Sequence, residues 1–146
     1  MRNIWLIRHA QSLANQEQII QGQGVLDTEL TPLGLQQALA TANYFYEQNW
    51  PIETIYASDL KRAKQTAQAI ADKFNLKVQT DTDLREAHFG RWEGCYFANL
   101  ASEDSENYHK WLQDKTWRPA FCESFTALQT RANGLLLSLY RSEPLN

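Results

Sequence analysis

The sequence has few cysteines and no excess of basic residues. Its two cysteines, Cys95 and Cys122, have neither the spacing of a metal site nor the number expected of a disulfide framework. The 14 lysines and arginines are outnumbered by 17 aspartates and glutamates, and the net charge is −3. Nucleic acid is therefore not expected as a partner, because it requires a broad basic surface. A small anionic ligand is still allowed, since a few arginines can dominate one pocket.

Long apolar runs are also lacking. Residues 4–7 form a compact apolar run, but it is too short for a signal peptide, and no stretch approaches the length of a transmembrane helix. We therefore expect a cytoplasmic protein that does not bind membranes. With 43% apolar and 21% charged residues, the 146-residue chain is predicted to form one globular domain, residues 1–146, with its own core.

Short apolar runs alternate with amphipathic stretches, which predicts an α/β fold with a mainly parallel sheet flanked by helices. Strands buried on both faces are predicted at residues 4–7 and 54–57, and a strand nearer the sheet edge at 76–80. Helices are predicted to begin at Thr31, followed by Pro32, and at Ser58 or Asp59, and to cover roughly 97–114 and 124–140.

Apolar residues at three- and four-residue spacing mark the predicted buried faces of three of these helices. The faces consist of Leu35, Ala38, Leu39, Ala42, Phe45 and Tyr46; of Leu60, Ala63, Ala67, Ile70, Ala71 and Phe74; and of Leu128, Ala132, Leu135, Leu136 and Leu139. The segment 95–121, rich in tryptophan and tyrosine, is predicted to form a cap over a ligand pocket.

Polar residues that suit an anion follow the first predicted strand. Arg8 and His9 stand where this strand ends, and Ser12 and Asn15 come shortly after it. In open parallel sheets, ligands bind beyond the carboxyl ends of the strands. Arg62, in the first turn of a predicted helix, should point back toward the same edge. The positive end of the helix dipole adds to the positive electrostatic potential there. Each feature alone is typical of a solvated surface, but together they predict an anion pocket.

Four ordered blocks of residues match one family. They are Arg8-His9-Ala10-Gln11-Ser12 with Asn15; Asp27, Leu30-Thr31 and Gly34; Ser58-Asp59-Leu60-Lys61-Arg62-Ala63 with Thr66-Ala67; and residues 84–94, which read LREAHFGRWEG. With these blocks the chain resembles the histidine phosphatases of the phosphoglycerate mutase-like superfamily. The resemblance implies the α/β fold of that superfamily and hydrolysis of a small phosphorylated substrate, without a metal or another cofactor.

The resemblance also implies roles for residues of these blocks. His9 would attack phosphorus and form a phosphohistidine, while Arg8, Arg62 and Asn15 would hold the phosphate oxygens. The further substrate-binding candidates are Ser12, Gln21, Gly22 and Phe89.

Glu86 is the proton donor that the resemblance implies. It would protonate the leaving oxygen and then help water to attack the phosphohistidine. For this role we expect the pKa of Glu86 to be raised by partial burial beside Phe89 and Trp92.

The sequence departs from the family pattern in three places. A two-residue insertion in the loop after Asn15 leaves open whether Gly22 or Gly24 lines the pocket. Cys122 replaces the usual glycine before Glu123, so the role of Glu123 is also open. The family's second histidine, in a strand after the last helix, has no counterpart up to the last residue. We therefore expect either a shortened chain with impaired activity or a chain that is less than the natural protein. In the shortened chain, exposed sheet edges should close poorly or pair with another chain.

Three other functions stay open. Asp81 and Asp83 follow a predicted strand, as in the magnesium-dependent haloacid-dehalogenase-type phosphatases, although Leu84 stands where threonine or valine is usual. A non-catalytic phosphate-binding domain of the same fold would fit the missing histidine. A phosphoglycerate-type mutase is less favoured, because the stretch after the Glu86 block is short and its basic residues are only Lys110, Lys115 and Arg118.

Overall fold

The helices and strands follow the α/β order that the sequence predicts. The structure is a computed structural model that describes residues 3–24 and 26–141. Its elements are α1 (Leu13–Gln16), α2 (Pro32–Glu47), β1 (Ile55–Ala57), α3 (Lys61–Phe74), β2 (Val78–Thr80), α4 (Leu100–Glu103), α5 (Ser105–Gln113) and α6 (Phe125–Arg141). Single 3₁₀ turns cover Thr82–Leu84, Gly90–Trp92 and Phe97–Asn99. None of the helices within the described ranges is both long and apolar enough to cross a lipid bilayer.

Two parallel strands joined by α3 form the sheet. Ile55 of β1 lies opposite Val78 of β2, and Ala57 lies opposite Thr80. α3 packs against both strands, and α2 packs on α3, so α3 lies between α2 and the sheet. The predicted parallel pairing and the flanking helices are confirmed.

Residues 4–7 do not form a strand, and the prediction of a strand buried on both faces is wrong. Ile4, Leu6 and Ile7 are 46%, 77% and 46% exposed. The backbone of residues 4–8 makes no hydrogen bond to any part of the chain that the structure describes. A groove of about 1400 Å³ lies between this segment and β1, so the segment has neither a pairing strand nor a covering layer.

β1 borders the same groove from the other side. Its Ala57 is buried, but Tyr56 is 38% exposed and Ile55 is only partly buried. The predicted burial of this strand on both faces is therefore wrong as well, because the groove leaves one side of it uncovered.

Aromatic stacking connects the segment 4–7 to the helical layer. The rings of Trp5 and Trp50 stack with their centroids 5.1 Å apart, and Trp50 stacks on Phe45 at 4.3 Å. Phe45 in turn belongs to the core cluster with Ala42 and Ile70. A continuous stack thus holds one wall of the groove in place without backbone pairing.

α2 begins as the sequence predicts. Thr31 is the N-cap, and its hydroxyl oxygen accepts a hydrogen bond from the Gly34 N–H at 2.9 Å. Pro32 occupies the first helical position, where its missing N–H costs nothing.

The buried face of α2 is narrower than predicted. Three apolar residues of the predicted face are exposed: Leu35, Leu39 and Tyr46, at 51%, 54% and 54%. Ala38 and Ala42 are buried instead, and so are Ala67 and Ala71 of α3, which packs on α2. Small alanine side chains let two helices approach closely, and Leu35, Leu39 and Tyr46 are left on the outer side of α2.

α3 begins later than predicted, and neither Ser58 nor Asp59 is its cap. Leu60 takes the N-cap position without a side-chain hydrogen bond. The Ser58 hydroxyl accepts from the Leu60 N–H at 3.3 Å, before the helix begins. The Asp59 carboxylate accepts from Arg85 Nε at 2.7 Å, so it is used for another contact.

The predicted helix over 97–114 is interrupted at Asp104. This residue has an extended φ of −142° and separates α4 from α5. Its carboxylate accepts hydrogen bonds from Arg91, from Trp92 Nε1 and from Asn107, at 3.0, 2.8 and 2.9 Å. These contacts hold Asp104 outside the helical conformation.

α6 forms close to its predicted position, but its apolar face is not buried. No side chain of α6 is fully buried. Leu136 and Leu139 of the predicted face line the groove beside residues 4–7 and β1. The predicted core stripe of this helix is therefore only half-covered, because the groove in front of it is open.

Gly34 lies where α2 passes closest to the preceding loop, and a Cβ there would be 2.0 Å from the Gln11 carbonyl oxygen. We expect Gly34→Ala to lower the free energy of unfolding by about 1–3 kcal/mol, because backbone atoms would have to move. Gly134→Ala in α6 is the control: its Cβ would meet no atom within 4 Å. This change should be neutral or stabilise by about 0.5–1 kcal/mol. Urea unfolding measures both, and equal midpoints for the two variants would contradict the steric argument.

Candidate active site

The hydrogen bonds of His9 fit a neutral imidazole whose Nε2 carries no proton. Its Nδ1 lies 2.7 Å from the carbonyl oxygen of Ala10, which can only accept, so Nδ1 carries the proton. Nε2 accepts a hydrogen bond from Arg62 Nε at 3.3 Å. Partial burial lowers the pKa of His9, and the nearby charges of Arg62 and Arg8 lower it further. Nε2, the nitrogen predicted to attack phosphorus, thus faces a cation.

Arg62 is buried in the first turn of α3, with 2% exposure. Its Nη2 donates to the Gly22 carbonyl at 3.0 Å. Its Nη1 is buried without a hydrogen-bond partner among the described residues, and Asp27 Oδ1 lies 4.0 Å away. Burial lowers the pKa of Arg62, although nearby acidic residues oppose this shift. An incompletely paired guanidinium in this position is an attractive site for an anion.

Arg8, His9, Arg62 and Glu86 all line the groove. The structure therefore brings together the nucleophile, both arginines and the proton donor that the sequence proposed. Arg8 is exposed. Its guanidinium thus faces solvent in the groove, whereas Arg62 approaches His9 from inside the protein.

The predicted burial of Glu86 beside Phe89 and Trp92 is wrong. Glu86 is exposed, because it lies on the open side of the groove. Trp92 packs elsewhere, against Trp111 and Phe121 at ring distances of 6.1 and 5.7 Å. Phe89 lines a separate apolar pocket of about 60 Å³ with Trp92 and Trp111, so it is not brought to His9.

Three other predicted substrate-binding residues form a hydrogen-bonded cluster behind the groove. The Ser12 hydroxyl donates to Asn15 Oδ1 at 2.9 Å and accepts from Gln21 Nε2 at 2.7 Å. Gln21 Oε1 accepts from the Thr28 hydroxyl at 2.8 Å. Ser12 is the N-cap of α1. Its side chain is fully buried, so it is not available to a substrate. Asn15 Nδ2 has no hydrogen bond within residues 3–24 and 26–141.

The turn at Gly22 connects Arg62 to a carboxylate that the sequence left without a role. Glu93 is buried, and its Oε1 accepts from the N–H groups of Gln23 and Phe89 at 3.1 and 2.9 Å. Its Oε2 accepts from the Gly24 N–H at 3.0 Å. These bonds use loop amides that could otherwise have cradled an anion. Of the two glycines, Gly22 is the one whose carbonyl contacts Arg62.

Gly22 cannot be replaced without moving Glu93. Its φ of +59° lies in the left-handed region. A Cβ at this position would lie 2.0 Å from Glu93 Oε1. The close approach of backbone and carboxylate therefore requires glycine here.

Thr66 and Asp27 fix the position of α3 relative to the loop that carries His9. The Thr66 hydroxyl accepts from the Ala10 N–H at 3.0 Å and donates to the Arg62 carbonyl at 2.8 Å. Asp27 Oδ1 accepts from the Lys61 N–H at 2.8 Å, at the start of α3. Both residues belong to the matched blocks, but sequence reasoning gave neither of them a role. Within the described ranges, no three His, Cys, Asp or Glu residues are grouped in a way that could hold a metal ion.

The chain is similar to known phosphatases in sequence and in structure. The sequence model of the histidine phosphatase superfamily (branch 1) matches residues 4–145. The glucosyl-3-phosphoglycerate phosphatase of Mycobacterium tuberculosis is 37% identical over 143 residues, which are 98% of this chain and 62% of that protein. The adenosylcobalamin/alpha-ribazole phosphatase of Escherichia coli is 32% identical over 139 residues, 93% of this chain and 66% of that protein.

A solved structure of mycobacterial glucosyl-3-phosphoglycerate phosphatase in complex with VO3 is also similar. It superposes with a TM-score of 0.83 at 37% identity, covering 93% of this chain and 66% of that one. The chain thus spans less than two thirds of the length of these relatives.

Because burial and two arginines lower its pKa, we expect His9 to titrate below its usual value of 6.5. NMR of the imidazole nitrogens measures the midpoint. Arg62→Gln removes a charge that opposes protonation, so the midpoint should rise. Arg91→Gln is the control, since Arg91 pairs with Asp104 rather than with His9. A wild-type midpoint above 6.5, or no change in Arg62→Gln, would contradict this description of the site.

Proposed function

The chain belongs to branch 1 of the histidine phosphatase superfamily, and from this premise we propose that it hydrolyses small phosphomonoesters through a phosphohistidine at His9. Because the chain spans less than two thirds of the length of its relatives, this activity is proposed for the residues described here.

Phosphoryl transfer takes place in two steps. In the first, the Nε2 lone pair of His9 attacks phosphorus while the ester P–O bond breaks, and the leaving oxygen takes a proton from the Glu86 carboxyl. In the second, water attacks the phosphohistidine and gives a proton to Glu86. The P–N bond then breaks, which releases inorganic phosphate and restores neutral His9. Arg8 and Arg62 stabilise the charge that develops on the phosphate oxygens.

The hydrogen bond from Arg62 Nε to His9 Nε2 is the observation that supports this proposal most directly. A phosphate group that enters between these atoms meets a lone pair on one side and a buried cation on the other. The Ala10 carbonyl fixes the tautomer in which Nε2 is unprotonated. Asn15 Nδ2 is the further donor that we assign to a phosphate oxygen.

The substrate class follows from what the relatives share. The names of these two phosphatases refer to glucosyl-3-phosphoglycerate and to alpha-ribazole compounds. The two substrates differ in the alcohol portion and share the phosphate ester. We therefore assign the phosphate to Arg8, His9 and Arg62, and the choice of alcohol to the cap, residues 95–121. The cap carries Lys115 at 3.9 Å over the Trp111 ring, a cationic and aromatic surface that suits a polar, anionic alcohol portion.

Mixing the chain with para-nitrophenyl phosphate tests the nucleophile. We expect a burst of nitrophenolate and an acid-labile phosphate on His9, detected by mass spectrometry at neutral pH. His9→Ala should abolish both signals. His109→Ala is the control, because His109 bonds to Ser105 within α5. Phosphate binding without a burst would favour a non-catalytic phosphate-binding domain, and a phosphoenzyme on another residue would overturn the assignment.

We also propose that a second copy of the chain pairs with the groove. Both walls present unpaired backbone: residues 4–8 make no hydrogen bonds to the described residues, and β1 pairs on one side only, with β2. The walls also expose apolar side chains, Leu6 at 77% and Tyr56 at 38%. Exposed strand edges of this kind template pairing with another chain.

Light scattering across a range of protein concentrations tests this association. We expect the mass to rise with concentration, and Leu6→Lys to shift the chain toward the monomer by placing a charge in the groove. Leu39→Lys is the matched control, because Leu39 is 54% exposed on α2 and does not line the groove. A monomer at every concentration, or equal effects of the two variants, would contradict pairing through the groove.

A further inference from the structure

Arg131 of α6 donates hydrogen bonds with all five of its guanidinium N–H groups. Nε and Nη2 donate to the two carboxylate oxygens of Glu123 at 2.7 and 2.8 Å. Nη1 donates to the carbonyls of Asp83 and Arg85 at 2.7 and 2.8 Å, and Nη2 also donates to the Glu86 carbonyl at 3.1 Å. The side chain is only 17% exposed. One residue thus binds three carbonyl groups of the segment that carries the proton donor.

Glu123 holds the same segment on the other side of Glu86. Its N–H donates to the His88 carbonyl at 2.7 Å, and its Oε2 accepts from the His88 N–H at 3.2 Å. Hydrogen bonds from Arg131 lower the pKa of Glu123, so this carboxylate stays charged. Arg131 and Glu123 therefore fix the backbone before and after Glu86. We call this pair of residues the Arg131–Glu123 clamp.

The side chain of Glu86 depends on this backbone for its direction. It is exposed at the groove, so packing does not hold it. Its Oε1 accepts from the Ala87 N–H at 2.8 Å, which makes the Ala87 amide a direct reporter of the carboxylate's position. Its carbonyl also accepts from Gln23 Nε2 at 2.7 Å.

We propose that the Arg131–Glu123 clamp is a positioning device that aims the Glu86 carboxyl at the leaving oxygen. Neither Arg131 nor Glu123 touches the substrate in this assignment, which rests on the proposed function. The clamp gives Glu123 the role that the sequence left open. It also makes α6, which buries no side chain fully, part of the proton-donating apparatus.

Arg131→Lys separates positioning from general stability. Lysine keeps the charge but cannot reach five acceptors in one plane. With an alkyl phosphate, whose leaving group needs a proton, we expect phosphoryl transfer to fall about 10- to 100-fold. With para-nitrophenyl phosphate, whose leaving group needs none, the burst rate should stay within about threefold of the wild type. Arg91→Lys is the control, because Arg91 lies outside the clamp and pairs with Asp104.

NMR of the Ala87 amide provides a readout that does not require catalysis. We expect Glu86→Ala to move this amide shift, because the Ala87 amide donates a hydrogen bond to the Glu86 carboxylate. Arg131→Lys should weaken that response to Glu86→Ala, and Arg91→Lys should preserve it. If Arg131→Lys does not fold, Glu123→Gln replaces it, since glutamine keeps an acceptor oxygen but loses the charge.

The outcomes separate this inference from the proposed function. Equal losses with both esters, or an unchanged Ala87 response in the clamp variant, would overturn the positioning role. A wild-type chain that forms no phosphohistidine from either ester would overturn the proposed function. The Ala87 response would then still decide whether the clamp fixes Glu86.

Discussion

A positive charge buried next to an imidazole is the constraint on which the site depends. Taking a guanidinium out of water costs several kcal/mol unless nearby groups compensate for it. Arg62 has the Gly22 carbonyl and His9 Nε2 as direct partners, while the acidic side chains of Asp27 and Glu93 act from a distance. The compensation is incomplete, because Nη1 donates no hydrogen bond within the described residues. This residual charge adds to the effect of burial in lowering the pKa of His9.

The two sides of the structure around the site are held together by different kinds of contact. On one side, α2 and α3 pack through buried alanines and carry Arg62 on a rigid helix. On the other side, a groove separates residues 4–7 from β1, and polar contacts rather than buried side chains hold α6 and the Glu86 segment. Polar contacts are directional, so they can orient a catalytic group even where apolar burial is lacking.

Sequence reasoning succeeded where the information was local. The helix starting at Pro32 and the direction of Arg62 follow from capping and first-turn geometry, which involve a few neighbouring residues. It failed for residues 4–7, because burial of a strand depends on partners that its own pattern does not contain. Sequence reasoning also missed the roles of Glu93 and Arg131, whose hydrogen bonds join residues 69 and 46 positions apart in the chain. Neither position differs in pattern from an ordinary surface charge.

The contact between Gly22 and Glu93 has an evolutionary consequence. A side chain at position 22 would collide with the carboxylate, and an apolar residue at position 93 would leave the turn amides without their acceptor. Neither position can drift alone without disturbing the carbonyl that Arg62 uses. Among homologues, the two positions should therefore change together or not at all.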